Sequence, residues 1–143
     1  MSYTILIQRV YYPASVEDGY RVLVDRLWPR GFKQDALTLD LWLPKIAPSH
    51  ELRKNWHHKR LTFDQFKLCY QQELADLEAD FLPLMIAARK GRLSLLSAVK
   101  TIEYSHLPVL KNRLIELLRR EDRLDQGNEQ SSSPCYLSQF KDW

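Results

Sequence analysis

Cysteine is scarce in this chain: Cys69 lies inside a helical pattern and Cys135 in a polar stretch, so neither a disulfide framework nor a cysteine metal site is expected. The four glycines, Gly19, Gly31, Gly91 and Gly127, stand alone, which excludes a phosphate-cradling glycine loop, and no Gly-x-Ser-x-Gly elbow is present. No apolar run approaches the ~18 residues that a membrane span needs. The first residues, Met1 to Arg9, lack a basic lead and meet a charge too soon for a signal peptide, so a reducing, cytoplasmic setting is expected. Charge of one sign is also lacking: 21 Lys and Arg against 18 Asp and Glu give +3 with neutral His, too little to imply nucleic acid or an anionic membrane. No internal repeat is found.

What remains is the composition of a folded, soluble domain, 45% apolar and 27% charged over 143 residues, enough for one core. The basic excess sits in residues 1–60, with 10 basic and 6 acidic side chains against 11 and 12 in the rest.

Thr4 to Val10 reads as a strand, and Tyr20 to Leu27 as a second whose Val22-Leu23-Val24 centre is apolar on both faces. Turn chemistry lies between them at Tyr12-Pro13-Ala14-Ser15 and Glu17-Asp18-Gly19. The second strand runs into Asp25-Arg26-Leu27-Trp28-Pro29-Arg30-Gly31, where proline ends the ladder and glycine permits a bend. Ser49 caps a helix that stops near His57. Thr62 and Gln65 form a capping box for the clearest amphipathic helix, with Phe63, Phe66, Tyr70, Leu74, Leu77 and Phe81 on its stripe. Pro83 marks a break or restart, and that pattern ends at Gly91. Leu93 to Val99 has the length of a buried strand, and Ser105 or His106 caps a last helix carrying Leu107, Leu110, Leu114, Leu117 and Leu118. From Glu121 onward the composition turns polar, which predicts a family domain over 1–120 and a tail over 121–143 that is flexible or docks through Tyr136, Leu137, Phe140 and Trp143.

Strands separated by helices predict an α/β fold, a small, mainly parallel sheet flanked by helices, in which ligands bind beyond the carboxyl ends of the strands. That rule brings the Asp25–Gly31 loop and the Lys100–His106 loop to one rim. Asp25, Arg26 and Arg30 there suit a phosphate or carboxylate, because guanidinium offers a rigid fork of donors and an aspartate fixes one arginine, while Trp28 adds a flat wall. The alternative is a structural ion pair with Trp28 as core cover. His106, at a helix N-terminus that favours its neutral form, and Lys100 are the candidates for proton transfer or charge stabilisation.

Other groupings carry less. His50, His57 and His58 have neither chelating spacing nor acidic partners, so no metal is expected. Arg53, Lys54, Lys59 and Arg60 around Trp56 form either a solvated helix face or a nucleic-acid contact. Cys69 reads as a small hydrophobe beside an apolar stripe.

The motif Asp18-Gly19-Tyr20-Arg21-Val22-Leu23-Val24-Asp25-Arg26-Leu27-Trp28-Pro29-Arg30-Gly31 carries a resemblance to a family. Arg9-Val10-Tyr11, Leu41-Trp42, Ala47-Pro48-Ser49, Glu51-Leu52-Arg53-Lys54, His58, Phe66, Tyr70, Glu73-Leu74, Leu95-Leu96, Lys100 and His106 add to it. With these, residues 4 to 118 resemble the domain-of-unknown-function family 488 in its YeaO-like branch, with the stretch after Arg120 outside it. The resemblance implies an α/β fold and no settled reaction. It groups Arg9, Arg21, Asp25, Arg26, Arg30, Arg53, Lys100 and His106 as a shared polar site. Ser97, Thr101 and Ser105 depart from the branch, which usually has Tyr, an acid and Asn there; an activity needing the acid at 101 would be changed or lost here. A related branch resembles this chain but carries cysteines near 97 and 105, and thiol chemistry does not transfer.

The reading is therefore a single-domain protein that binds a small anionic ligand, phosphorylated or nucleotide-like, with Arg9, Arg21, Arg26, Arg30, Arg53 and Trp28 as binding residues and His106, Lys100 and Asp25 as catalytic candidates if turnover occurs. No cofactor is implied. The alternatives are a noncatalytic nucleic-acid module using residues 53–60, or a protein-interaction module.

Overall fold

The computed structural model describes residues 2–33 and 37–131, with side chains to Asp125. Four strands, β1 (Ile5–Arg9), β2 (Tyr20–Leu23), β3 (Leu41–Trp42) and β4 (Leu93–Ser97), form one sheet in the order β1-β4-β2-β3. Every pairing is parallel, with Ile7 opposite Leu95 and Val22 opposite both Leu95 and Leu41. The helices are α1 (His50–His57), α2 (Phe63–Ala75), α3 (Leu82–Lys90) and α4 (His106–Ser131). The chain is thus an α/β protein with a four-stranded parallel sheet. β4, made last, is fully buried because it lies between β1 and β2, and its two serines, Ser94 and Ser97, are buried with Leu93, Leu95 and Leu96.

Alternation along the strands divides the interior in two. Ile5, Val22, Val24, Leu93 and Leu95 face the large core, to which α1 gives Leu52, α2 Phe66, Tyr70 and Leu74, α3 Leu84 and Met85, and α4 Leu107, Leu110 and Leu114. Leu23 and Leu96 turn the other way with Val10, and are covered by Trp28, Leu37, Leu39 and Trp42. Among the described residues no helix is long and apolar enough to cross a membrane.

The local signals explain the element ends. Ser49 accepts from the Leu52 amide, and Thr62 and Gln65 close their box on each other's amides. The α1 terminus is a Schellman motif: the Arg60 amide donates to the Asn55 carbonyl and the Lys59 amide to that of Trp56, with Lys59 at φ 55 where glycine is usual. Gly19, at φ 70, ends a turn of 3-10 helix at Val16–Asp18 and meets the Arg92 carbonyl oxygen, which an added Cβ would approach to 2.2 Å.

Three elements differ from the sequence reading. Leu41–Trp42 is a strand too short to show a periodicity. The apolar stripe through Phe81 is two helices, because α2 stops at Ala75 and a 3-10 turn over Glu78–Phe81 leads into α3. The polar composition beginning at Glu121 ends the apolar stripe of α4 but not the helix, which runs to Ser131. Its extension is tied down: Arg89 pairs with Glu121 and Asp122, each at 2.9 Å, and the Tyr3 hydroxyl donates to Asp122 at 2.6 Å. The docking residues proposed from sequence, Tyr136, Leu137, Phe140 and Trp143, lie outside the described residues.

Candidate functional site

A cavity of about 830 Å³ opens at the carboxyl ends of β2 and β4. Three segments wall it: Asp25 to Arg30 after β2, Lys100 to His106 between β4 and α4, and Ala47, Pro48, Arg53, Trp56 and His57 around α1. The two loops that topology assigns to one rim therefore do share it.

Asp25 is the polar centre of its floor. One carboxylate oxygen accepts from the Ser97 hydroxyl at 2.6 Å and lies 3.2 Å from His106 Nε2; the other accepts from the Ala98 amide at 2.8 Å. Burial pushes its carboxyl up, but the His106, Ala98 and Ser97 donors outweigh that and hold it below the ordinary carboxylate range. His106 Nε2 also lies 2.9 Å from the Val24 carbonyl oxygen. Both of its neighbours are acceptors, so this nitrogen carries the proton and donates. The imidazole, itself buried, is thereby committed to holding Asp25 and Val24, and Nε2 offers no lone pair to a substrate. Two departures from the family pattern have structural places here: Ser97 on Asp25, and Ser105, whose Oγ accepts the Leu107 amide in the first turn of α4.

The cations separate into two kinds. Arg26 is structural: its Nε donates to the Pro48 carbonyl at 3.0 Å and Nη2 to that of Ala47 at 3.1 Å, joining the β2 loop to the entry of α1. Arg30, Arg53 and Lys100 line the cavity, and among the described residues their side chains make no hydrogen bond or ion pair. Arg9 stands behind the wall, with Nε on the Val99 carbonyl at 2.8 Å and its guanidinium 5.0 Å from the centre of the Tyr11 ring. Arg21 is elsewhere. It lies at the amino end of β2, buried, paired with Asp18 and donating to the Thr38 carbonyl at 2.6 Å, so the strand separates it from the cavity. Trp28 lines the cavity and covers the small core at once, edge-on to Trp42 at 5.3 Å, with its Nε1 donating to the Phe32 carbonyl.

Sequence reasoning grouped Trp56 with Arg53 as a basic-aromatic face but did not connect it, or Phe66 and Tyr70 behind it, to this site. Trp56 stacks on Phe66 at 5.1 Å, Phe66 on Tyr70 at 6.0 Å, and Tyr70 stands edge-on to His106 at 6.0 Å, a continuous line from the cavity wall to the Asp25 partner. Arg53, Trp56 and His57 follow i, i+3, i+4 spacing on α1, which is the signal that would have found the wall. Glu73 was also missed as a positioning group: it accepts from the Ser49 amide at 2.9 Å and from its hydroxyl at 2.6 Å, fixing the start of α1 on α2. A second, shallower compartment of about 540 Å³ shares Trp56 and His57 with the first.

Parallel strands with a basic, aromatic-walled cavity at their carboxyl rim define a small α/β protein. The chain belongs to the DUF488 family: the model described as "Inactive DUF488-N3 subclade" matches residues 4–137, so the match extends past Arg120 and includes part of the stretch that the resemblance places outside the family. It is 44% identical over 113 residues to "Uncharacterized protein YeaO" of Escherichia coli (strain K12), covering 79% of this chain and 98% of that one. It is 36% identical over 110 residues to "Uncharacterized protein Rv3073c" of Mycobacterium tuberculosis (strain ATCC 25618 / H37Rv), covering 77% and 92%. No solved structure matches the chain.

Proposed function

We propose that this chain is a binding protein for a small anionic, phosphorylated organic molecule, held at the carboxyl rim of the sheet without being turned over. The observation that carries the reading is the set of three cations, Arg30, Arg53 and Lys100, around one cavity whose lining carboxylate, Asp25, is occupied by Ser97, Ala98 and His106. An anion entering there meets donors that no described residue engages, rather than having to break existing ion pairs. The volume, about 830 Å³, suits a whole metabolite better than a bare ion.

Binding without turnover is favoured because two of the three catalytic candidates have other work. Asp25 is held as a carboxylate with no proton to give, and the Nε2 proton of His106 is shared between Val24 and Asp25. Lys100 is left as a charge on the rim. The word "inactive" in the description of the matching subclade agrees with this reading.

The test is thermal unfolding against phosphorylated metabolites, nucleotides and short oligonucleotides at low and high salt, with Arg30→Ala as the control. A ligand at 100 times its Kd stabilises the native state by about 2.7 kcal/mol, a shift of several degrees. A small-molecule shift that survives salt and is lost in Arg30→Ala supports the pocket. Shifts confined to oligonucleotides and abolished by salt would favour a nucleic-acid module instead, because each neutralised phosphate releases counterions.

A further inference from the structure

We propose that the shallower compartment is a ring subsite, so that the anion held by Arg30, Arg53 and Lys100 belongs to a ligand whose flat aromatic group, of the nucleobase class, packs against Trp56. This rests on the anion pocket proposed above and adds to it the chemistry of the rest of the ligand.

The two compartments have a wall in common. Trp56 and His57 line both, so the two spaces meet at an indole and an imidazole. Arg53, the anion-side cation, precedes Trp56 by three residues on α1 and stands on the same face, one turn away. A molecule anchored on Arg53 therefore has the Trp56 ring one turn away along the same helix face. The indole is braced rather than loose: Phe66 stacks on it with an interplanar angle of 27°, and Phe63 leans on it at 5.7 Å. Phe63 in turn meets Tyr104 edge-on at 5.4 Å, and Tyr104 lines the larger cavity from the opposite loop. A rigid aromatic surface loses little freedom when a second ring is laid on it, which is what makes such surfaces good platforms for bases.

The chemistry of the second compartment fits a base better than an aliphatic chain. Its apolar part is aromatic and branched, Trp56, Phe63 and Leu61, while Thr62, His57 and Lys59 add polar residues to its lining. A nucleobase has both a π-face and polar edges, whereas an acyl chain would leave those polar groups facing hydrocarbon. Phosphate at one end and a base at the other also accounts for two compartments that share Trp56 and His57 better than a sugar phosphate, which would leave the second empty.

The experiment is calorimetric titration of the full chain with adenosine 5′-monophosphate, ribose 5-phosphate and adenosine, repeated on Trp56→Leu, Trp56→Phe and Arg53→Ala. The expected result is that the nucleotide binds tenfold or more tightly than ribose 5-phosphate, about the contribution of one stacked base. That advantage should vanish in Trp56→Leu and be largely kept in Trp56→Phe, with ribose 5-phosphate affinity the same in all three. Arg53→Ala should weaken both phosphates together and leave adenosine unchanged. Equal affinity for nucleotide and sugar phosphate on the wild type overturns the ring subsite and leaves the anion pocket standing. A preference that persists in Trp56→Leu also overturns it. Absence of binding by all three probes overturns both readings. Urea unfolding of each variant separates a lost subsite from a lost fold.

Discussion

Replacing Asp25 by Asn removes one charge from the floor of the cavity while keeping its shape, and the three groups around it decide what that costs. All three are donors as the site stands: the Ser97 hydroxyl, the Ala98 amide and His106 Nε2–H. If the new NH2 faces Ala98, two donors oppose each other, and a backbone amide cannot reverse. If it faces the other side, Ser97 must rotate, and a His106 Nε2 made to accept from it would turn a lone pair on the Val24 carbonyl. One charge-assisted hydrogen bond is lost outright, worth about 1.5–3 kcal/mol, and the survivors weaken to the neutral range, so about 3 kcal/mol in total is expected. For a domain of this size that lowers Tm by roughly 10 °C. The carboxyl of Asp25 is held below its ordinary value in the folded chain, so its contribution is present above the unfolded pKa of about 3.9 and is lost as pH falls through the folded one. The difference between wild type and Asp25→Asn is therefore constant above roughly pH 5 and narrows on further acidification. Urea unfolding followed by tryptophan fluorescence at pH 7, 5 and 4 measures it. A loss under about 0.5 kcal/mol, the size of an ordinary surface change, or a gap that widens in acid, would refute the assignment of Asp25 as the hub of the rim.

Arg21→Met should destabilise by about 3–5 kcal/mol, because it leaves the buried Asp18 carboxylate without its cation, while ligand shifts at the opposite rim persist. Urea midpoints and thermal shifts on the same samples check both halves. Gly19→Ala forces a side chain into φ 70 and onto the Arg92 carbonyl oxygen, and a loss of about 3 kcal/mol or failure to accumulate as folded protein is expected in a solubility and circular-dichroism comparison. Lys59→Gly has the opposite sign: relief of the left-handed backbone outweighs the added entropy of the unfolded chain, and a gain of about 0.5–1 kcal/mol should appear as a higher urea midpoint.

Much of the frame was legible because it is local. The strands at Ile5–Arg9 and Leu93–Ser97, the Ser49 cap and the Thr62–Gln65 box are written in a few consecutive residues, and each falls where pattern and chemistry put it. The strand Leu41–Trp42 was not, since two residues have no period and only the neighbouring β2 makes them a strand. Polar composition concealed the end of α4, which is stabilised by Arg89 and Tyr3 from other elements rather than by its own apolar stripe. The rim was legible from topology, but the work of each residue there was not: Arg26 spends its donors on the carbonyls of Ala47 and Pro48, contacts about twenty positions away that no local pattern encodes. Arg21 is the instructive error. Its place as the second residue of a parallel strand already puts it at the amino end, away from the carboxyl rim, and the grouping by family motif overrode that geometry.

The position of β4 also bears on how the chain is made. β1 and β2 do not pair with each other; each finds its partner in residues 93–97, so β1 has no strand beside it until most of the domain has been synthesised. Ile5 must wait for Leu93 and Arg9 for Ser97, separations that make loop closure, rather than helix formation, the slow step of assembly. A nascent chain halted before Leu93 holds α1, α2 and α3 with no central strand to pack on, and its apolar faces stay open to chaperones and to other chains. The strand that completes the ligand rim is thus also the one whose arrival commits the polypeptide to its native topology.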